Sequence, residues 1–114
     1  MRFLALYRPA GEVEESGPPD PEHMAEMGRL IEQSKADGSL ISTEPLMARS
    51  HCAVVSRSVQ GVEVASVSDR MAGFAMLNAS SLDEAIAFAK SFLGVVGEGT
   101  CEVRQVLEFG PPPT

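Results

Sequence analysis

Two histidines are the natural places to look for proton chemistry in this chain, and only one of them stands among carboxylates. His23 lies in "PPDPEHM" (residues 18–24), with Glu22 beside it and Asp20 just upstream. A neutral imidazole in a cleft is a general base at pH 7, and such a base is usually oriented by a carboxylate. Asp20 is close in sequence, but it is also the natural N-cap of a helix that starts at Pro21. Asp37, Glu44 and Asp69 reach His23 only through folding. The sequence does not choose among these, and Asp20 and Asp69 stand level as candidate partners. The plainer role for His23 is a hydrogen bond to a backbone group at a helix start.

A second set of residues could hold a ligand. Tyr7 and Arg8 end a short apolar strand. The phenol offers a hydrogen bond, and the guanidinium offers a fork for a carboxylate. Met27, with Met24, could line an adaptable apolar wall near His23. The bland alternatives are a rim tyrosine, a solvated arginine and core-filling methionines. His51 opens a strand and reads as solvent-facing. Cys101 alternates with Val103 and reads as packing, since a catalytic cysteine needs an identified base and an electropositive setting. Cys52 and Cys101 have no C-x-x-C spacing, so both are expected to be reduced, buried or half-buried thiols. No metal or nucleotide motif is present, and no cofactor is implied.

These residues need elements to position them. "MRFLALYR" reads as a strand, apolar on both faces. A Gly/Pro-rich loop leads to a helix over "PEHMAEMGRLIEQSKADG", with Gly38 as its left-handed stop. On a helical wheel Met24, Met27, Leu30, Ile31 and Ser34 share one arc, and His23 falls beside Met27 and Leu30, on the sheet side. "SLISTEPL" is a short strand. "HCAVVSRSV" and "VEVASV" form a hairpin about Gln60–Gly61. "FAMLNA" is a strand apolar on both faces. "SSLDEAIAFAKSFLG" is a helix, with Ser81 and Glu84 as a capping box and Gly94 as its stop. "CEVRQVLEF" closes the sheet, and "GPPPT" is a tail. Residues 1–109 form one domain and 110–114 the tail.

The order strand–helix–strand, hairpin, strand–helix–strand predicts an α+β, ferredoxin-like domain: an antiparallel sheet with two helices on one face. The first strand and "FAMLNA" are apolar on the side that two helices cannot cover. A second copy of the chain is the simplest cover, so a homodimer through sheet faces is expected.

The whole chain has 114 residues, a net charge of −7 and a pI near 4.7. Its nine basic residues are scattered, which argues against nucleic acid and against a charged membrane surface. No apolar run approaches the length of a membrane span. The apolar start, Phe3 to Tyr7, is shorter than a signal-peptide core, so a cytoplasmic protein is expected.

"MAEMGRLIEQSKADGSLISTEPL", "MAGFAMLNASSLDEAIAFAKSFLG" and "GEGTCEVRQVLEF" together resemble the DGPF/YCII-related family in residues and in the order of elements. The resemblance implies a dimeric α/β barrel. In the wider group it implies either lyases and dehalogenating enzymes of aromatic breakdown, with a His–Asp pair proposed as acid and base, or proteins encoded beside or fused to sigma factors. His23 matches the helix-start histidine of the YCII-like branch. The Asp-Gly-Pro-Phe motif is missing: the chain has "VASVSDRMAGF" there, with Asp69 as its remnant. Two functions therefore stand side by side. One is a small-molecule lyase or isomerase in which His23 moves a proton. The other is a non-catalytic ligand-binding or protein-interaction module, accessory to a transcription regulatory system.

Overall fold

In the computed structural model the described residues are 1–11 and 21–108. The strand β1 (Arg2–Pro9) is followed by the helix α1 (Pro21–Ala36) and the strand β2 (Leu40–Pro45). A short 3-10 turn at Arg49–His51 leads into the hairpin strands β3 (Ala53–Ser58) and β4 (Gly61–Ser66). Then come β5 (Gly73–Asn78), α2 (Leu82–Val96) and β6 (Gly99–Gln105). The four-stranded antiparallel sheet has the order β2-β5-β1-β6, while β3 and β4 pair only with each other. The fold is α+β and ferredoxin-like, as the order of elements predicts, with the hairpin inserted between β2 and β5.

Register explains which residues meet. β1 lies between β5 and β6, and Phe3 stands opposite Leu77 and Gln105, Ala5 opposite Ala75 and Val103, Tyr7 opposite Gly73 and Cys101. On β2, Leu40 pairs with Leu77, Thr43 with Ala75 and Pro45 with Gly73, with a bulge between Leu40 and Ser42. Alternate residues share a face, so these positions form three rungs across the sheet on the side of the helices. Phe3, Ala5, Leu40, Leu77, Ala79 and Ala85 make the buried core, with Ile31, Phe88, Cys101 and Val103 packed against it. The opposite face carries Leu4 and Leu6 of β1 beside Met76 and Phe74 of β5, all half-buried.

The helices depart from expectation in three places. Met24 is 55% exposed; Pro21 and Glu22 are exposed too, so the first turn of α1 stands clear of the core and only His23 is half-buried there. Further along, Ser34 is buried as the wheel predicts. Gly38 ends the helical segment in the left-handed region, at φ 85, also as predicted. α2 runs past Gly94 to Val96 and stops at Gly97, at φ 97. A helical glycine costs about 1 kcal/mol, and half-burial of Val95 and Val96 beyond it offsets that cost. At the start of α2, the Glu84 N–H donates to Ser81 Oγ at 3.2 Å. The Glu84 carboxylate accepts from the Ser80 hydroxyl, so half of the capping box is re-routed to a neighbouring serine. His51 lies in the 3-10 turn ahead of β3 and is exposed, and Cys52 is exposed where burial or half-burial was expected. The candidate cap Asp20 and the tail from 110 lie outside the described residues.

Candidate functional site

The three inward rungs differ in size. Phe3, Leu77 and Leu40 fill one end of the layer between helices and sheet, at 0%, 1% and 5% exposure. The middle rung is floored by Ala5 and Ala75, and the last by Gly73 next to Tyr7. Small side chains below and helices held at a fixed height above leave a void. The result is a cavity of about 340 Å³, within the range of small-molecule sites. Met27, Leu30 and Ile31 of α1 form one wall, and Phe88 and Phe92 of α2 the other; Thr43, Glu44 and Pro45 of β2 line the sheet edge.

Tyr7 stands at the end of this void. Its ring meets Phe92 edge-to-face, with centroids 5.2 Å apart and planes at 85°. The backbone makes room for it at Gly99, where a Cβ would lie 2.5 Å from the Arg8 carbonyl oxygen and 3.0 Å from the Tyr7 ring. Burial pushes the Tyr7 phenol above its ordinary pKa, and Cys101 across the strand adds to the rise. Burial also raises the Cys101 thiol. Both groups are therefore protonated at neutral pH, and the phenol is a hydrogen-bond donor. The Thr43 hydroxyl donates to the Phe74 carbonyl at 2.9 Å, which leaves its oxygen lone pairs to accept. Among the described residues lining the cavity there is no His, Lys, Arg or Asp; Glu44 is the one acidic residue, and its pairing with Phe74 puts its side chain on the open face of the sheet.

The sequence matches the YCII-related domain over residues 1–110. The chain belongs to that family. No curated protein matches it. In this YCII-related domain the expected site residues fall into separate places. Tyr7 and Met27 both line the cavity. His23 is one helical turn before Met27, half-buried, and outside the described lining. Arg8 projects from the other face of β1, where its Nε meets Asp69 Oδ2 at 3.0 Å and its Nη1 lies 3.6 Å from Glu102 Oε1. Asp69 also accepts the Met71 N–H. That backbone bond, then Arg8, holds its carboxyl below the usual range. Asp69 thus braces the chain after β4 against the sheet.

The lining residues that sequence reasoning missed are Thr43, Phe88, the Ala5, Ala75 and Gly73 floor, and Cys101 as a wall. The signal for the floor was a run of small residues at inward positions of β1 and β5, visible only once the register is known. Among the described residues no group of three or more His, Cys, Asp or Glu side chains could hold a metal ion. No helix among them is long and apolar enough to cross a membrane.

Proposed function

We propose that this YCII-related domain is a ligand-binding module whose cavity takes a small, neutral, largely apolar molecule. One observation carries the reading: the void is walled by Met, Leu, Ile and Phe side chains, and its polar groups are the neutral Tyr7 phenol, the Cys101 thiol and the Thr43 hydroxyl, with Glu44 at the sheet edge. A carboxylate or phosphate would lose its hydration there with no cation to replace it. A neutral ring or chain with one hydroxyl or carbonyl would keep its hydrogen bond through Tyr7 or Thr43. We further propose that the open sheet face, with Leu4, Leu6, Phe74 and Met76, pairs with a second copy.

The rival reading is a lyase or isomerase in which His23 moves a proton. The half-burial of His23 one turn from the cavity wall favours it. Thermal shifts across a panel of neutral cyclic alcohols, ketones and their carboxylate analogues separate the two. At ten times Kd, a neutral ligand should stabilise by about 1.4 kcal/mol, a rise of several degrees. The carboxylates should give none. Tyr7→Phe should weaken the best ligand roughly tenfold, the loss of one hydrogen bond of about 1 kcal/mol or slightly more. His23→Ala should leave it unchanged. Turnover of any panel member that disappears in His23→Ala would return the chain to the enzyme reading.

A further inference from the structure

The hairpin of β3 and β4 is the least explained part of the molecule. Every residue of both strands is exposed, and neither strand joins the main sheet. Val55 pairs with Val64 and Arg57 with Val62, so Val55, Val62 and Val64 share one face. They are 66%, 65% and 71% exposed. A two-stranded hairpin alone is marginal in water, and alternating valines are the pattern of a half-buried strand. The blade is bare, yet its root is tied. Arg49 Nη1 donates to the Ser68 carbonyl at 3.2 Å, across the two legs. Asp69, just after the hairpin, is held by Arg8 from the open face of the sheet.

We infer that the β3–β4 arm docks by its valine face on a second copy of this chain, as a clasp added to the sheet-face contact. The inference rests on the pairing with a second copy proposed above and does not depend on the cavity. Area is the first argument. Four strands about 4.8 Å apart and six residues long, at about 3.3 Å each, give the open sheet face a projection of roughly 400 Å². A standard stable interface buries about 800 Å² of accessible surface per partner. The arm adds roughly 200 Å² of projection per face, and in a two-fold pair each copy supplies one arm and receives one. Charge is the second. Arg57 stands on the valine face in a chain of net charge −7, while Glu44, opposite Phe74 on the edge strand β2, is exposed at the border of the open face. Position is the third: the arm's root is anchored to the same open face that the second copy would cover.

The test is analytical ultracentrifugation of the full chain over a wide concentration range, with hydrogen exchange read at the arm. The wild type should dimerise, and β3 and β4 amides should gain protection as it does. Val55→Asp with Val64→Asp should raise the dimer Kd at least tenfold. Both side chains are exposed, so at concentrations where the wild type is itself monomeric the variant should keep the wild-type melting temperature. Should the aspartates unfold the arm, Val55→Thr with Val64→Thr keeps the β-branch and should weaken the dimer in the same direction. Leu6→Glu separates this inference from pairing through the sheet. A dimer lost in Leu6→Glu but untouched by the arm variants overturns the clasp and leaves sheet pairing intact. A dimer weakened by the arm variants and untouched by Leu6→Glu overturns sheet pairing, and with it the clasp as an addition to that contact, leaving the arm as the interface by itself. A wild type that stays monomeric, with arm amides exchanging freely at every concentration, overturns it in favour of a different partner.

Discussion

At one end of the layer between helices and sheet, Phe3 and Leu77 face each other beneath Ala85, and nothing is left to fill. At the other end the same two strands carry Ala5, Ala75 and Gly73, and about 340 Å³ stays open. The helices, the strand pairing and the twist are shared. What differs is side-chain volume on successive rungs. Stability should therefore concentrate at the packed end, and binding at the hollow one. A protein interior packs to near-crystalline density, so a void lined by aromatic rings and floored by alanines is a departure from the rule and reads as a site.

The strongest challenge to this contrast is truncation at the packed end. Leu77→Ala should cost about 3–5 kcal/mol, since the side chain is fully enclosed and the site cannot collapse. Urea denaturation would measure it, and a cost below about 1 kcal/mol would mean that the packed end is not packed. Next comes Gly99→Ala, which drives a methyl toward the Arg8 carbonyl and the Tyr7 ring. It should cost about 1–3 kcal/mol through backbone shift and disturb Tyr7. The chain has one tyrosine and no tryptophan, so near-ultraviolet circular dichroism and fluorescence read that ring with no overlapping indole. Ala75→Leu, which grows a side chain into the void, should change stability by less than about 1.5 kcal/mol while removing ligand binding.

The smallest expected effect lies outside both ends, at Asp69. Its folded pKa is lowered, so its bonds to the Met71 N–H and Arg8 stabilise the fold above the unfolded value of about 3.9. That contribution is lost as pH falls through the lower, folded pKa. The difference in urea midpoint between wild type and Asp69→Asn should be constant above about pH 5 and shrink as the solution is taken below about pH 4. A difference that grows on acidification would remove Asp69 from its role as a brace.

Much of the frame was legible before the structure. The apolar runs "FLALY" and "FAMLN" and the cap at Ser81 are local signals, and each fell where local chemistry put it; the hairpin turn fell one residue earlier than Gln60–Gly61, at Val59–Gln60, because Gly61 pairs with Ser58 as the first residue of β4. Met24 and Gly94 were misjudged because a helical wheel assumes equal cover along its length. In fact the start of α1 overhangs the core, and half-burial of Val95 and Val96 carries α2 past its glycine. Tyr7 and Met27 were legible as lining, because one ends the first strand and the other sits on the inward arc. Arg8 was not, because its partners Asp69 and Glu102 come from distant parts of the chain. The void itself could not be read from sequence. It is a difference in volume between rungs, and a rung exists only after β1, β5 and β2 are set in register.

The most direct test of the hollow end uses the lone tyrosine within it. Tyr7 fluorescence is titrated with a neutral cyclic ketone or alcohol that does not absorb with tyrosine, in wild type and in Ala75→Leu. The account predicts a saturable change in the wild type and a flat response in Ala75→Leu, with both proteins folded by circular dichroism. A flat response from the wild type to every neutral ligand, or saturation that survives in Ala75→Leu, would contradict it.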